Sequence, residues 1–452
     1  MSKILLKNIS IVATMDDERK ILKNTDILIN ENRIEKIAKN TKEKAQILIS
    51  GQGKVALPGF INTHHHFYQT MTRVLKKVTD AKLFDWLLYL YDIWANLTPE
   101  WVEISTKIAV GELLLSGCTT TLDHYYVYPD NKNNFLDIEI ETANQCGIRF
   151  HPTRGAMSLD RDKGGLPPRR VVQEEAEILK DLERLIQKYH DPKDFSMIRI
   201  VNAPCSPFSV TKELLKESIN FARKKKITSH THLAETLDEE NFCIEKFGKT
   251  PVRYMEEVGW LGDDVLFAHC VHLSDDDIKL LGKTKSCVSH CPTSNLRLGS
   301  GIAPIRKLID AGATVSIGVD GSASNDSSNM LLEIRQCMLV ARVKTGVSSM
   351  SATDALWLAT RGGAKALKRE DIGALEQGKA ADIVLFDIED IAYAGCGDVV
   401  EALVFCGRNF TANDVIVNGK LLVKNKKLLF LDEKEIYHKA KEIFKRDIAP
   451  NL

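Results

Sequence analysis

PGFINTHHHFYQTMTR, residues 58–73, begins as an apolar run through Phe60-Ile61 and turns abruptly polar at Asn62-Thr63. The run suits a buried strand, and His64, His65 and His66 follow it directly. Side chains at i and i+2 of an extended segment point the same way. His64 and His66 therefore aim two imidazoles at one side, while His65 points away. Two neutral imidazoles on one face begin a site for zinc or another borderline metal. So short a motif acquires meaning only from its context, and here the context is spread along the whole chain.

Working outward, apolar β-rich runs alternate with helical patterns. Eight such runs stand out: VALPGFIN, CTTTLDH, IRFHPT, MIRIVNAP, KITSHTHLAE, VLFAHC, SCVSHCPTSN and ATVSIGVD. Amphipathic stretches separate most of them, the clearest being VVQEEAEILKDLERLIQKYH at 171–190. Eight strand–helix units over roughly 300 residues predict a (β/α)8 TIM-type barrel. The competing doubly wound sheet would carry a Gly-rich phosphate loop after its first strand, and none is present.

Both ends of the chain have a different character. ILLKNISIVA, TDILIN and RIEKIA near the start read as short strands, as do ADIVLFD, VVEALVFCG and DVIVNGKLLVKN near the end. The expectation is a small β-sandwich domain built from both termini, residues 1–57 and 369–430. The barrel is expected at 58–368, and a charged amphipathic helix within 431–452 should pack back on the surface.

Composition narrows the function. The 452 residues are 44% hydrophobic and 27% charged, values of a soluble globular protein able to bury a large core. Zero formal net charge favours neither nucleic acid nor an anionic membrane as a partner. Lys224-Lys225-Lys226 reads as a solvated helix end. The ten cysteines follow no framework spacing, and nothing reads as a signal peptide or membrane-length apolar run, so a reducing cytoplasm is the expected location. Cys287 and Cys291 lack the second ligand pair of a structural zinc site.

In a barrel of this kind, catalytic groups sit at the C-terminal ends of strands. The predicted ends carry His64-x-His66, then His230-Thr231-His232-Leu233-Ala234-Glu235, Ala268-His269-Cys270, and Gly318-Val319-Asp320-Gly321. Four such features on four strand ends form a constellation, although each alone is weak.

With these residues the chain resembles the amidohydrolase superfamily, in its mononuclear aminohydrolase (ATZ/TRZ-like) branch. PGFINTHHH, HLAET (232–236), AHCVHL (268–273), SHCPTSNLRLGSG (289–301), GVDGSASND (318–326) and GALEQGKAADIVLFD (373–387) carry the likeness. The resemblance implies one divalent metal held by His64, His66, His232 and Asp320. Zinc suits that ligand set, and iron(II), cobalt or manganese could also occupy it. It further implies Glu235 as proton shuttle, His269 as the residue that orients the attacking water, and Asp320 as acceptor of a second proton. An open metal position lowers the pKa of a bound water to about 7. Binuclear members need a strand-four lysine, and SMIRIVNAPCS (196–206) contains none.

HHHFYQTMTR, LFDWLLYLYDIWANLTPE (83–100), RGAMSLDRDKGGLPP (154–168) and APCSPFSVT (203–211) look most like 8-oxoguanine deaminases. That implies hydrolytic deamination of 8-oxoguanine to urate and ammonia. Guanine, isocytosine, a pterin or a hydroxylated s-triazine such as hydroxyatrazine are alternative rings. An inactive scaffold is the reading from outside the enzymes, and the intact ligand set argues against it. Gln69 and Arg73 are expected to read the ring edge, the latter unless it forms a structural salt bridge. Arg154, expected in the loop after the third strand, would meet a ring oxygen, Trp86 would cover the ring, and Cys205 stands where nucleoside-acting relatives carry histidine. His124, His151, His272 and His290 are expected to pack or to support other side chains. Relatives are commonly homo-oligomeric, and the loops after strands one and three are expected to close over substrate.

Overall fold

The computed structural model describes residues 3–407 and 410–452. Two sheets organise it. The first draws on both ends of the chain: β1 (Lys3–Ala13), β2 (Ile21–Asn30), β3 (Arg33–Ala38), β4 (Ile47–Ser50) and β5 (Lys54–Pro58). The barrel follows, as β6 (Phe60–Asn62), β7 (Cys118–Asp123), β8 (Arg149–Ala156), β9 (Val201–Pro204), β10 (Ser229–Leu233), β11 (Val265–His269), β12 (Cys287–His290) and β13 (Thr314–Ile317). Then β14 (Ile383–Asp387), β15 (Asp414–Val417), β16 (Lys420–Lys424) and β17 (Lys427–Leu428) return to the first sheet.

The barrel strands lie in chain order and every pairing is parallel. Its last seam is closed just beyond the strands. Thr63 N–H donates to the Ile317 carbonyl at 3.1 Å, and Asp320 N–H donates to the His64 carbonyl at 3.0 Å. The barrel's two edges therefore meet at the residues of the strand-end constellation. This is a (β/α)8 barrel.

In the terminal sheet the order is β17-β16-β15-β14-β5-β1-β2-β3, with β4 beside β1. The two halves join through antiparallel β5 and β14, where Leu57 faces Val384. Alternating residues of these strands bury Ile4, Leu6, Ile27, Ile29, Ala56, Ile383 and Ile416 in a core of their own. That is the small sandwich domain expected of the termini.

Two expectations about local structure are corrected. VALPGFIN is not one strand: its first half is β5 of the terminal sheet and its second half is β6 of the barrel. Gly59 is the switch between them. A Cβ there would lie 2.1 Å from the Thr119 side chain, so only glycine lets the chain cross at this point. VVEALVFCG is not a strand either, because Val399–Phe405 is helical. The Asp398 side chain accepts from the N–H groups of Val400 and Glu401, and this cap outweighs the β-propensity of the valines. The amphipathic stretch after the third barrel strand forms the helix Glu175–Tyr189, burying Ile178, Leu182 and Leu185. Near the C-terminus the helix Glu433–Ile443 packs on Pro99–Leu115. Among the described residues, no helix is long and apolar enough to cross a membrane.

Candidate active site

Three imidazoles converge at one end of the barrel, and hydrogen bonds determine which nitrogen each presents. The His66 Nδ1 lies 2.7 Å from the His124 carbonyl, and the His232 Nδ1 lies 2.6 Å from the Cys205 carbonyl. A carbonyl only accepts, so both Nδ1 atoms carry the proton and both Nε2 atoms keep a lone pair. His64 is set by a longer relay. The His230 Nδ1 donates to the Leu266 carbonyl at 2.9 Å, its Nε2 accepts from the His64 Nδ1 at 2.8 Å, and the His64 Nε2 is left buried without a partner.

Those three Nε2 atoms face one another and Asp320. His66 Nε2 and His232 Nε2 are 3.2 Å apart, and Asp320 Oδ1 is 3.3 Å from the Nε2 atoms of both His64 and His66. Metal–nitrogen bonds of about 2.0–2.1 Å in a tetrahedral array separate ligand atoms by about 3.3 Å. Lone pairs held that close repel unless a cation lies between them, so this donor set fits a divalent metal. Burial keeps the His64 and His232 imidazoles neutral: His64 is driven well below the usual histidine range, and His232 falls to about 3, burial and then the neighbouring His66 and His269 being the causes. A second cluster of His64, His124 and His230 has the facing nitrogens of His64 and His230 already bonded to each other.

Glu235 and His269 complete the end wall. The His269 Nδ1 donates to Asn295 Oδ1 at 2.8 Å, so its Nε2 lone pair points at Glu235 Oε2, 3.6 Å away, and at Asp320 Oδ2, 3.9 Å away. Burial and then the Asp320 charge push the Glu235 carboxyl well above the usual range, which suits a group that both takes and gives protons near neutral pH. The Glu235 backbone is clamped by a second buried carboxyl. Glu239 accepts the N–H of Ala234 at 2.8 Å and that of Glu235 at 2.9 Å. Ala234, His269 and Asp320 all have positive φ, at 52°, 72° and 65°. Such strain in non-glycine residues persists only where the surroundings over-determine it, and it gathers at functional sites.

Above this wall lies a cavity. Gln69, Trp86, Tyr91, Tyr126 and Cys205 line it, together with Leu83, Leu87, Phe208 and Leu298. Both polar atoms of the Gln69 amide, the Trp86 Nε1 and the Tyr91 hydroxyl are buried there without partners. Gly321 makes room for Gln69, since a Cβ would lie 2.0 Å from the amide oxygen. Orphaned polar groups in an otherwise apolar pocket are groups kept for a ligand.

The amidohydrolase family profile matches residues 55–422, which span all of these groups. The chain belongs to the amidohydrolase family. This amidohydrolase is 45% identical over 396 residues to an 8-oxoguanine deaminase of Pseudomonas aeruginosa, covering 87% of this chain and 88% of that one. It is 34% identical over 427 residues to a 5'-deoxyadenosine deaminase of Methanosarcina acetivorans, covering 94% of each. An atrazine chlorohydrolase from Arthrobacter aurescens, complexed with zinc, superposes with a TM-score of 0.94 at 32% identity, over 97% of this chain and 99% of that one.

Against the sequence expectations, the amidohydrolase site brings Gln69, Trp86, Cys205, Glu235, His269 and Asp320 to one cavity. Arg154 is elsewhere. It lies within β8 and not in a loop, its Nε donates to Asp181 at 2.6 Å, and its guanidinium stacks over Tyr128. A fully buried cation must be paired, and Asp181 satisfies it inside the protein. Arg73 is likewise committed, bidentate to Glu112 at 2.9 and 2.6 Å. The segment after the third barrel strand does not line the cavity. It braces the helix Leu83–Trp94 from outside, where Arg161 donates to the Leu88 carbonyl. Three residues that sequence reasoning left without a role serve the site: His230, Asn295 and Glu239. Asn295 stands in SHCPTSN and His230 two positions before His232, so their spacing was the available signal.

Proposed function

We propose that the chain catalyses hydrolytic deamination of 8-oxoguanine to urate and ammonia with one divalent metal, zinc suiting the ligand set best. The observation that carries the chemistry is the Glu235 carboxyl sharing one cavity with His66, His232 and Asp320, and lying 3.6 Å from the His269 Nε2. Identity of 45% to an 8-oxoguanine deaminase supports the choice of ring.

His64, His66, His232 and Asp320 hold the metal. When bound there it supplies Lewis-acid activation of water at neutral pH. Glu235 accepts a proton from the attacking water and delivers it to the ring nitrogen beside the amine-bearing carbon. His269, its Nε2 aimed across the gap, orients the water. As the tetrahedral carbon collapses, Asp320 accepts the hydroxyl proton, which leaves with the departing amine as ammonia. Water adds, a C–N bond breaks, and the ring carbon ends as a carbonyl. Gln69 offers a donor and an acceptor to the ring edge, Trp86 covers the ring face, and Cys205 presents a small apolar surface with no imidazole for a sugar.

The test is ammonia release by zinc-loaded protein from 8-oxoguanine, guanine, isocytosine, a pterin and a hydroxylated triazine. The highest kcat/KM is expected for 8-oxoguanine. A preference for another ring keeps the deaminase chemistry and replaces the substrate; no turnover with metal bound overturns both.

A further inference from the structure

The ring cavity adjoins a second cavity, and two leucines belong to both. Leu83 and Leu298 are the residues common to both linings. The outer space has a different chemistry: Lys82, Thr236, Asp238, His272 and Ser300 line it. Thr236 Oγ1 and Ser300 Oγ are buried there without hydrogen-bond partners. The two leucines come from different elements. Leu83 is the first residue of the helix Leu83–Trp94, and Leu298 caps the short helix Pro292–Arg297. The backbone after Leu298 is tied down, with Ser300 N–H donating to the Asn295 carbonyl and the His272 Nε2 donating to the Ser300 carbonyl, both at 2.8 Å.

In 8-oxoguanine, the amine-bearing carbon of the six-membered ring and the five-membered ring lie at opposite ends of the long axis. With that carbon at Glu235 and Asp320, a five-membered ring directed toward the side shared with the second cavity would meet Leu83 and Leu298. A sugar on its nitrogen would have to occupy the space those leucines fill. This rests on the deaminase reading of the site. We propose that Leu83 and Leu298 make the enzyme selective for free bases over nucleosides, by closing the ring cavity off from a polar vestibule that would otherwise hold a sugar. The vestibule has the chemistry for one: unpaired hydroxyls at Thr236 and Ser300, and a cation and a carboxylate at Lys82 and Asp238. The selectivity comes from the barrier in front of a suitable site. Excluding a competitor by steric obstruction is a common route to specificity.

The test compares 8-oxoguanine with its ribonucleoside, by ammonia release and, separately, by equilibrium dialysis against zinc-loaded protein. Wild type is expected to favour the base by at least about 100-fold in kcat/KM. Leu298→Ala, at a half-buried position, is expected to narrow that ratio at least about tenfold, chiefly by raising the nucleoside value, with Leu83→Ala acting in the same direction. Adding Thr236→Val to Leu298→Ala should remove much of the gain, because it deletes a sugar-facing hydroxyl at constant shape. Wild type handling both ligands equally, or a Leu298→Ala enzyme that deaminates the base with an unchanged ratio, overturns the proposal. Loss of all base turnover in wild type counts against the deaminase reading, and dialysis then judges the barrier alone. In that case equal affinity of wild type for base and nucleoside overturns it.

Discussion

The His64 imidazole donates to His230 at 2.8 Å, and that one bond decides which nitrogen His64 turns toward His66, His232 and Asp320. His230 is itself fixed by the Leu266 carbonyl, so the relay runs from β11 through β10 to the end of β6. Outer partners of this sort orient a ligand and hold its tautomer, and their loss typically costs about 10–100-fold in metal affinity. His230→Ala is expected to fold and to lose zinc to a competing chelator within that range. Zinc retention equal to wild type would remove His230 from the site.

Glu235→Gln keeps the shape of the end wall but cannot carry a proton. The variant is expected to bind zinc stoichiometrically and to lose about 100- to 10,000-fold in kcat, the range for removing a general acid–base. Metal analysis and ammonia release on the same preparation separate the two effects. Near-wild-type turnover would assign proton transfer to another group.

Arg154 gives the opposite pattern. Its pair with Asp181 is buried, and removing one partner of such a pair costs about 3–5 kcal/mol. Arg154→Met should shift the urea unfolding midpoint strongly while leaving KM for the ring within about twofold, because Arg154 does not line the cavity. A large KM change in a stably folded variant would return Arg154 to substrate binding.

Gln69 should trade stability against affinity. Its amide is buried with neither polar atom satisfied. Gln69→Leu removes two orphaned groups at similar volume, so the melting temperature of the free enzyme is expected to rise, by the equivalent of about 1–3 kcal/mol. Ring binding should weaken in the same variant, seen as a higher KM. Unchanged KM would mean that the amide does not face the ring.

Glu239 ties stability to pH. Burial pushes its carboxyl up from the ordinary 4.5 to about 7, against the two N–H groups that pull it down. The folded protein therefore holds a proton that the unfolded chain has already released between those values. Stability from this group is present below about pH 4.5 and is lost as pH rises through about 7, at up to about 1.4 kcal/mol per pH unit. Glu239→Gln should flatten that slope between pH 5 and 7 in urea titrations. An identical slope in the variant would show that Glu239 ionises normally.

The strand ends announced themselves in the sequence because their chemistry is local. His64-x-His66, His232 to Glu235, and Asp320 between two glycines each lie within a few residues, and strand geometry alone dictates which side chains share a face. Eight apolar runs spaced by amphipathic helices were legible for the same reason, since hydrophobic period reports local structure. The valine-rich segment at 399–405 misled because a single aspartate cap outweighed β-propensity. What the sequence by itself determined was the barrel, the sandwich of the termini and the polar load at the strand ends. Only the tertiary structure decided the partners: Arg154 with Asp181, Arg73 with Glu112, His230 behind His64 and Asn295 behind His269. These pairs join residues 26 to 166 positions apart or are set by how strands and helices close around one another. Burial makes an unpaired charge or tautomer costly, and which partner relieves it depends on what packing brings within about 3 Å.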